Sequence, residues 1–219
     1  MCFEKGFLCG SVVGGIVSGI IIIIVLIATS IAKLEPYEVG LQYNPNSVTI
    51  NQGRLYTSGT YFLCPGCKFI KFNKQMRTIQ FGNQLQSSSA PDVSESSIVC
   101  RTNDALLADI EVSFQYQLSS DLTDIFQIYS DWGESYEDAF VMIAENQIRD
   151  SFAMFGALEV FYNRSTIESQ MLLDMQTKFS SMNIQILSFQ LLDIELPTKF
   201  NQALVSTQNL NLNVTTVQY

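Results

Sequence analysis

The chain has 219 residues, of which 47% are hydrophobic and 15% are charged, and this length accommodates one modest domain beside a short accessory segment. Its net charge of −9 repels phosphate backbones, which argues against nucleic acid as a partner. The sequence contains no histidine, which excludes Ser-His-Asp and Cys-His catalysis, histidine-ligated zinc and the usual general base at neutral pH.

The first predicted element is a transmembrane helix over residues 6–32, preceded by an N-terminal tail at 1–5. The helical segment contains no charged residue, and about 20 apolar residues suffice to cross a bilayer core. A cleaved signal peptide is the alternative, but its apolar region would be only about 7–15 residues long. Lys5 precedes the segment and Lys33 follows it, so the distribution of basic residues does not indicate the orientation.

Small residues recur at every fourth position of this segment: Gly6, Gly10, Gly14 and Ser18. Such a strip lets a second helix approach closely, although glycine is also common in membrane helices for other reasons. Cys2 and Cys9 border the segment and are candidates for reversible palmitoylation, whereas idle thiols are the commoner state of such cysteines.

After Pro36 the pattern changes to short β-like runs that are separated by turn residues. We predict a compact antiparallel sheet from the strands Val39–Tyr43, Ser47–Ile50, Tyr56–Leu63, Phe69–Phe72 and Arg77–Phe81. Ser87–Ser97 is small and polar and is predicted as a mobile loop. Strict alternation then predicts a strand over Leu106–Leu118, with one face buried and the other solvated.

Helical periodicity begins near Ser135, where apolar residues lie about one turn apart. These residues are Tyr136, Phe140, Ile143, Ile148, Phe152 and Phe155. Ser165 and Glu168 have the spacing of a capping box and predict a second long helix. Its apolar face comprises Ile167, Met171, Met175, Phe179 and Met182.

The last predicted elements are a strand over Ile184–Ile194 and a helix that Pro197 opens and that runs toward Asn209. Together the elements predict an α+β domain in which helices pack on one face of a mainly antiparallel sheet behind the N-terminal transmembrane helix.

Six short strings occur in the order and spacing of a known superfamily. They are Glu38-Val-Gly40, Ser58-Gly59-Thr60-Tyr61-Phe62, Arg101-Thr-Asn-Asp104, Asn146-Gln-Ile-Arg149, Tyr162-Asn-Arg164 and Asp193-Ile-Glu-Leu-Pro197. Over residues 34–208 the sequence therefore resembles the SPFH (band-7) superfamily of stomatins, prohibitins, flotillins and the bacterial HflK/HflC pair.

This resemblance implies a membrane-anchored scaffold that is not an enzyme and needs no cofactor. Such domains assemble side by side into rings or cages, as homo-oligomers or with SPFH paralogues, and organise membrane lipids and client membrane proteins. An accessory subunit of a larger heteromeric membrane complex is the alternative. We predict a single-pass protein of the plasma membrane or an endomembrane, with the mitochondrial inner membrane as a further option.

The C-terminal residues 209–219 depart from the family pattern. Family members usually continue into a long charged helical segment, whereas this stretch is a poor helix former. We therefore expect either a truncated chain, in which a longer helical segment begins here, or a short variant that assembles through other surfaces.

Cys64-Pro-Gly-Cys67 has the spacing of a small disulfide ring or of half a tetrathiolate zinc site. Three interpretations remain open: a structural disulfide in an oxidising space, two reduced cysteines in a turn, and a membrane-tethered thiol oxidoreductase. The oxidoreductase would need a βαβ context, but strand-rich sequence surrounds this motif. Zinc would need two further thiols, and only Cys100 is nearby in the domain.

Aromatic rings alternate with amines directly after this motif, at Lys68, Phe69, Lys71, Phe72 and Lys74. Such a segment suits lipid headgroups beside an anchor, and the alternative is an ordinary strand with solvated lysines and core phenylalanines.

Two N-glycosylation sequons begin at Asn163 and Asn213, and they matter only if the domain lies in the secretory lumen or outside the cell. An acidic run around Trp132 lacks the oxygen spacing of a calcium loop, so we predict a solvated helix face and no metal site.

Overall fold

The protein is described from a computed structural model. The structure describes residues 4–82, 92–200, 202, 203 and 206, and of residues 4–15 it describes the backbone alone. The chain divides into two compact units, the first of residues 1–75 and 120–126 and the second of residues 76–119 and 127–219.

The elements follow one another in an order that begins with a long helix and continues with strands. The helices are α1 Glu4–Thr29, α2 Leu122–Trp132, α3 Tyr136–Phe152, α4 Ala157–Tyr162 and α5 Arg164–Ser180. The strands are β1 Ile31–Leu34, β2 Glu38–Asn44, β3 Thr49–Ile50, β4 Gly59–Phe62, β5 Lys68–Asn73, β6 Arg77–Phe81, β7 Val93–Glu95, β8 Ile98–Arg101, β9 Leu107–Leu118 and β10 Ile184–Glu195. A 3₁₀ turn at Gly133–Ser135 separates α2 from α3.

The first unit combines α1 with two small antiparallel sheets. β1 pairs with β4, and β2 lies at the centre of a three-stranded sheet of order β3-β2-β5. Because side chains alternate between the two faces of a strand, β2 and β5 each turn one set of apolar residues inward. The most deeply buried of these are Leu41 and Phe72, both fully buried.

The second unit is a five-stranded sheet covered by helices. Its order is β10-β9-β6-β7, and β8 pairs with β9 as well. On β9 alternate residues are buried, and two of them contact rings from the helices. Phe114 lies 6.3 Å from Phe179 of α5 and Tyr116 lies 5.9 Å from Phe140 of α3, measured between ring centroids. Since Phe114 and Tyr116 share a face of β9, both helices pack on that face.

The predicted α+β class is confirmed, but the prediction of a single early sheet is wrong. The five predicted early strands are distributed over three sheets, because β4 pairs with β1, β2 lies between β3 and β5, and β6 belongs to the sheet of the second unit. That sheet is mainly antiparallel, and its β6–β7 pair is parallel. β7 also occupies part of the predicted loop Ser87–Ser97, of which residues 87–91 lie outside the described residues. Two predicted strands are shorter than expected, namely β3 at Thr49–Ile50 and β4 at Gly59–Phe62.

Several helix predictions also need correction. The charge-free run to Ala32 is helical only to Thr29, and its last residues belong to β1. α4 is a separate helix that we did not predict, and α2 was predicted only as a solvated helix face around Trp132, without bounds. The predicted capping box is wrong, because Asn163 occupies the N-cap position of α5 and makes no side-chain cap hydrogen bond. The prediction placed Ile143 on the apolar face of α3, but the buried residue at this point of the helix is Ala144, and Ile143 is half-buried. Residues 198–200, 202, 203 and 206 are helical, and the rest of the predicted final helix lies outside the described residues.

Candidate functional site

The C-x-x-C motif forms the turn between β4 and β5, and residues 64–67 are termed the disulfide loop. Cys64 and Cys67 are bonded as a disulfide with their Cα atoms 5.2 Å apart. The Cys67 N–H donates to the Cys64 carbonyl over 2.9 Å. Gly66 has a φ of +82°, in the region that favours glycine. Backbone geometry and sequence therefore agree on a tight turn here.

The surroundings of the disulfide loop favour a structural cross-link over thiol exchange. Cys67 is buried, Cys64 is half-buried, and Gln42 Nε2 lies 3.5 Å from Cys64 Sγ. A redox-active C-x-x-C opens a helix after a strand, whereas this one joins two strands. The cross-link thus stabilises a turn beside β4 and β5.

The lysines of β5 face solvent. Lys68 lies 5.7 Å from the centre of the Tyr43 ring, and Lys71 Nζ donates to Glu38 Oε2 over 2.8 Å. Phe72 on the same strand is fully buried, so it belongs to the core and drops out of the predicted membrane contact. The alternation of the strand is the physical reason, because Phe72 and Ile70 share its inner face.

The other two predicted contact residues are half-buried. Phe69 packs its ring 5.0 Å from Tyr56 and 5.8 Å from Tyr61, measured between centroids. The Lys74 N–H donates to the Tyr37 carbonyl over 2.9 Å. Lys68 and Lys71 are therefore the exposed members of this set.

The Glu38-Val-Gly40 string begins β2, and its Glu38 side chain hydrogen-bonds to the residues around it. Glu38 Oε2 accepts from the Glu35 N–H over 3.0 Å as well as from Lys71. Burial acts to raise the pKa of Glu38, but the Glu35 N–H and the Lys71 ammonium outweigh it and lower that pKa. Gly40 and Tyr56 exchange backbone hydrogen bonds, so β2 also forms a short antiparallel bridge to the segment that contains Tyr56.

Two apolar side chains are exposed just after α1, and we call Ile31 and Phe62 the apolar pair. They are register partners on β1 and β4, and their exposures are 48% and 75%. Sequence reasoning did not identify them as a pair, because Ile31 was included in the predicted membrane helix, and Phe62 was placed in a predicted strand that leads into the aromatic and basic segment. Their positions in the sequence could have identified them. Ile31 lies just after the end of the long helix, and Phe62 lies just before the C-x-x-C motif.

The Arg101-Thr-Asn-Asp104 string holds the beginning of α4. Asp104 Oδ2 accepts from the Ala157 N–H over 2.9 Å, and the Asn103 N–H donates to the Phe155 carbonyl over 2.9 Å. A Cβ atom at Gly156 would lie 2.9 Å from Asp104 Oδ2, so glycine leaves room for this cap. The string therefore satisfies backbone groups at a helix start.

The Tyr162-Asn-Arg164 string links α5 to the irregular part of β10. The Arg164 guanidinium donates to the carbonyls of Leu191 and Leu192, over 2.7 Å for Leu192. The register of β10 shifts between Leu191 and Asp193, where a bulge frees these carbonyls. Like the Asp104 string, this one serves the backbone of the fold.

The match to a known family spans these segments. The SPFH domain / Band 7 family matches the chain over residues 32–215. The chain belongs to the SPFH (band-7) family. A search of curated proteins finds no match. Three of the six strings in this SPFH domain supply side-chain hydrogen bonds to the backbone, through Glu38, Asp104 and Arg164.

The second unit of the SPFH domain also holds a partly buried ion-pair cluster. Arg77 Nη1 donates to Glu137 Oε1, and Arg77 Nε lies 3.8 Å from Asp92 Oδ1. Desolvation acts to lower the pKa of Arg77, but Glu137 outweighs it and raises that pKa. Burial also raises the pKa of the Tyr116 hydroxyl nearby. The cluster connects β6 to α3 through charge-assisted hydrogen bonds.

The remaining predicted site residues of the SPFH chain are not brought together into one site. Gly6, Gly10 and Gly14 lie in α1, and Ser18 on the same helix is exposed. Asn163 lies exposed between α4 and α5. Cys9 lies in α1 without a described side chain, and Cys2 and Asn213 fall outside the described residues.

Within the described residues of the SPFH chain, no cluster of three histidine, cysteine, aspartate or glutamate residues is arranged to hold a metal ion. Considering the same residues, in which the side chains of α1 begin at Ile16, no helix is both long and apolar enough to cross a membrane.

Proposed function

We propose that this SPFH chain is a membrane-anchored scaffold without enzymatic activity, which assembles with further copies or SPFH paralogues and organises membrane lipids and client proteins. The observation that carries the proposal is α1, a 26-residue helix whose large apolar side chains from Ile16 to Ile27 are 45–59% exposed. Contiguous exposed apolar surface of this kind indicates a membrane or protein partner.

The length and charge of α1 support a membrane as that partner. At about 1.5 Å per residue the helix is about 39 Å long, compared with about 30 Å for a bilayer core. Residues 6–32 carry no charge, so none needs to be desolvated in lipid. The chain would then be single-pass, in the plasma membrane or an endomembrane, with the mitochondrial inner membrane as a further option.

The surface just after α1 supports a contact between the first unit and the headgroup region. Ile31 of the apolar pair is exposed just after the end of α1, and Phe62 is exposed just before the disulfide loop. Lys68 is exposed on β5, the strand that follows this loop. Apolar side chains beside amines suit the boundary between acyl chains and anionic headgroups.

Family membership supports assembly. SPFH proteins are often membrane scaffolds and generally form oligomers with SPFH proteins. In this chain the strip Gly6, Gly10, Gly14 and Ser18 offers α1 a face on which another helix can pack closely.

The test is electron microscopy of the full chain extracted from its native membrane in mild detergent, with the mass and composition of the particle measured in parallel. A ring or cage of many SPFH copies is the expected result. A single copy held in a fixed heteromeric complex would replace the scaffold by an accessory subunit, and a monomer would refute assembly. If carbonate without detergent released the chain from the membrane, the proposed anchor would be refuted independently of the result on assembly.

A further inference from the structure

The Asn163-Arg-Ser165 sequon is presented at the surface of the second unit. All three residues are exposed, and they lie where α4 ends and α5 begins. Asparagine in such a triplet is the acceptor of N-linked glycans on secreted and lumenal surfaces.

The backbone of Asn163 is fully used, while its carboxamide is not part of a helix cap. The Asn163 N–H donates to the Glu159 carbonyl over 2.8 Å, and its own carbonyl accepts from Thr166 and Ile167. No side-chain hydrogen bond caps either helix at this position. A substituent on Nδ2 would therefore leave the helix junction intact.

Two aromatic rings stand exposed directly before the acceptor. Phe161 is 54% and Tyr162 is 60% exposed, and their ring centroids are 5.3 Å apart in an edge-to-face arrangement. Exposed aromatic rings beside an acceptor asparagine leave room for a sugar to pack on them. The C–H faces of a pyranose ring pack well against aromatic faces, so the first sugar on Asn163 would provide that cover.

The disulfide loop supplies an independent observation on the compartment. Disulfides persist in oxidising spaces such as the secretory lumen and the cell exterior, and they are rare in the cytosol. The bond between Cys64 and Cys67 lies in the first unit, and the sequon lies in the second. A disulfide needs an oxidising space and N-glycosylation needs the secretory lumen, so both features predict the same side of the membrane.

We propose that Asn163 carries an N-linked glycan packed over Phe161 and Tyr162, and that the SPFH domain accordingly faces the secretory lumen or the cell exterior. This rests on the proposed anchor only for delivery across the membrane. The co-substrate is a lipid-diphosphate-linked oligosaccharide. Asn163 Nδ2 bonds to its anomeric carbon, the bond from that carbon to the diphosphate oxygen breaks, and the diphosphate leaves with the electron pair while the amide gives one proton to a base.

The experiment expresses the full chain in eukaryotic cells and measures its electrophoretic mobility with and without peptide N-glycosidase. We expect a glycosidase-sensitive step that disappears in Asn163→Gln and also in Ser165→Ala, which keeps the asparagine. Asn213→Gln removes the second sequon and is the control that must retain the step. Persistence of the step in Asn163→Gln, or its absence from the wild-type chain, would overturn the proposal.

Two further measurements use the same material. Maleimide–polyethylene glycol should modify Cys64 and Cys67 only after reduction, and modification without reductant would overturn the lumenal placement. Removing the glycan should lower the Tm of the wild-type chain more than that of Phe161→Ala, and an equal shift would overturn the packing over the rings. Carbonate extraction of the same membranes reports on the anchor separately.

Discussion

At Gly82, where β6 ends, the backbone leaves no room for a side chain. Its φ is +134°, and a Cβ atom would lie 2.7–2.8 Å from the Glu111 side chain on β9. The Gly82 N–H donates to the Glu95 carbonyl over 2.9 Å, which extends the contact between β6 and β7. A substitution here therefore acts on both the backbone conformation and the packing between strands.

We expect Gly82→Ala to destabilise the chain by more than Gly133→Ala. Gly133 also has a positive φ, +67°, but a Cβ atom there meets nothing within 4 Å, so its substitution costs about 1–2 kcal/mol of backbone strain alone. Thermal unfolding of the detergent-solubilised chain measures the difference. Equal Tm values for the two variants would contradict the steric argument.

Glu38 makes the stability of the chain depend on pH. Its folded-state pKa lies below the usual value of 4.5, so its carboxylate stabilises the fold fully above pH 4.5, and this contribution is lost as the pH falls through the lowered pKa. We expect the wild-type chain to have a higher Tm than Glu38→Gln at pH 7, and the gap to narrow below pH 4.5. Glu95→Gln, exposed on β7, is the control, and a gap independent of pH would refute the mechanism.

Among the elements, the regular ones were the easiest to predict from sequence. The alternation in β9 and the helical spacing of Phe140, Ile148 and Phe152, which lie two turns and then one turn apart in α3, follow directly from burial of one face. α4 has only six residues, too few for a periodic signal, and the positive φ of Gly133 ends the helical pattern between α2 and α3. The pairing of β7 with β6 joins residues distant in sequence, so local patterns carry no trace of it.

The start of α4 provides a test at the scale of one element. Asp104→Ala removes the acceptor of the Ala157 N–H at the start of α4, and we expect a loss of about 1–2 kcal/mol, comparable to the loss of an N-cap side chain. Ser165→Ala in α5 is the matched control, because Ser165 is exposed and does not cap that helix. Chemical denaturation of unglycosylated full chain compares the two, and a larger loss for Ser165→Ala would restore the capping box predicted from sequence.

At the scale of the whole molecule, the exposed apolar residues could be only partly predicted. The charge-free run of α1 was evident, but Phe62 and Phe72 look equivalent in sequence. Phe72 pairs with Val39 inside a three-stranded sheet and is fully buried, whereas Phe62 pairs with Ile31 in a two-stranded sheet and is exposed. Burial therefore depends on sheet partners that the local sequence does not specify.

The apolar pair should lie against lipid in the assembled molecule. In a Trp132→Phe background, Phe62→Trp should be quenched strongly by brominated lipid in nanodiscs. The same variant in nanodiscs of unbrominated lipid is the control. Equal emission in the two kinds of nanodisc would argue against the proposed headgroup contact.

The small-residue strip of α1 should matter for assembly more than for insertion. Leucine at Gly10 and Gly14 keeps the helix apolar but holds a neighbouring helix away, so we expect the double variant to insert normally and to yield smaller particles. Ile23→Leu, which conserves volume on an exposed position, is the control. Native mass measurement in mild detergent compares them, and unchanged particles would place the assembly contacts in the domain.

The hydrogen bonds from Arg164 to β10 affect how the protein behaves at high local concentration. Among the described strands, β10 is an edge strand of twelve residues, and long open edges invite fibrillar growth by strand addition. Arg164 engages the Leu191 and Leu192 carbonyls, Gln176 engages the Ile186 carbonyl over 3.2 Å, and bulges break the regular register of the strand. In the membrane patch proposed above, where the chain would be concentrated in two dimensions, these contacts would keep the sheets of neighbouring copies from templating one another.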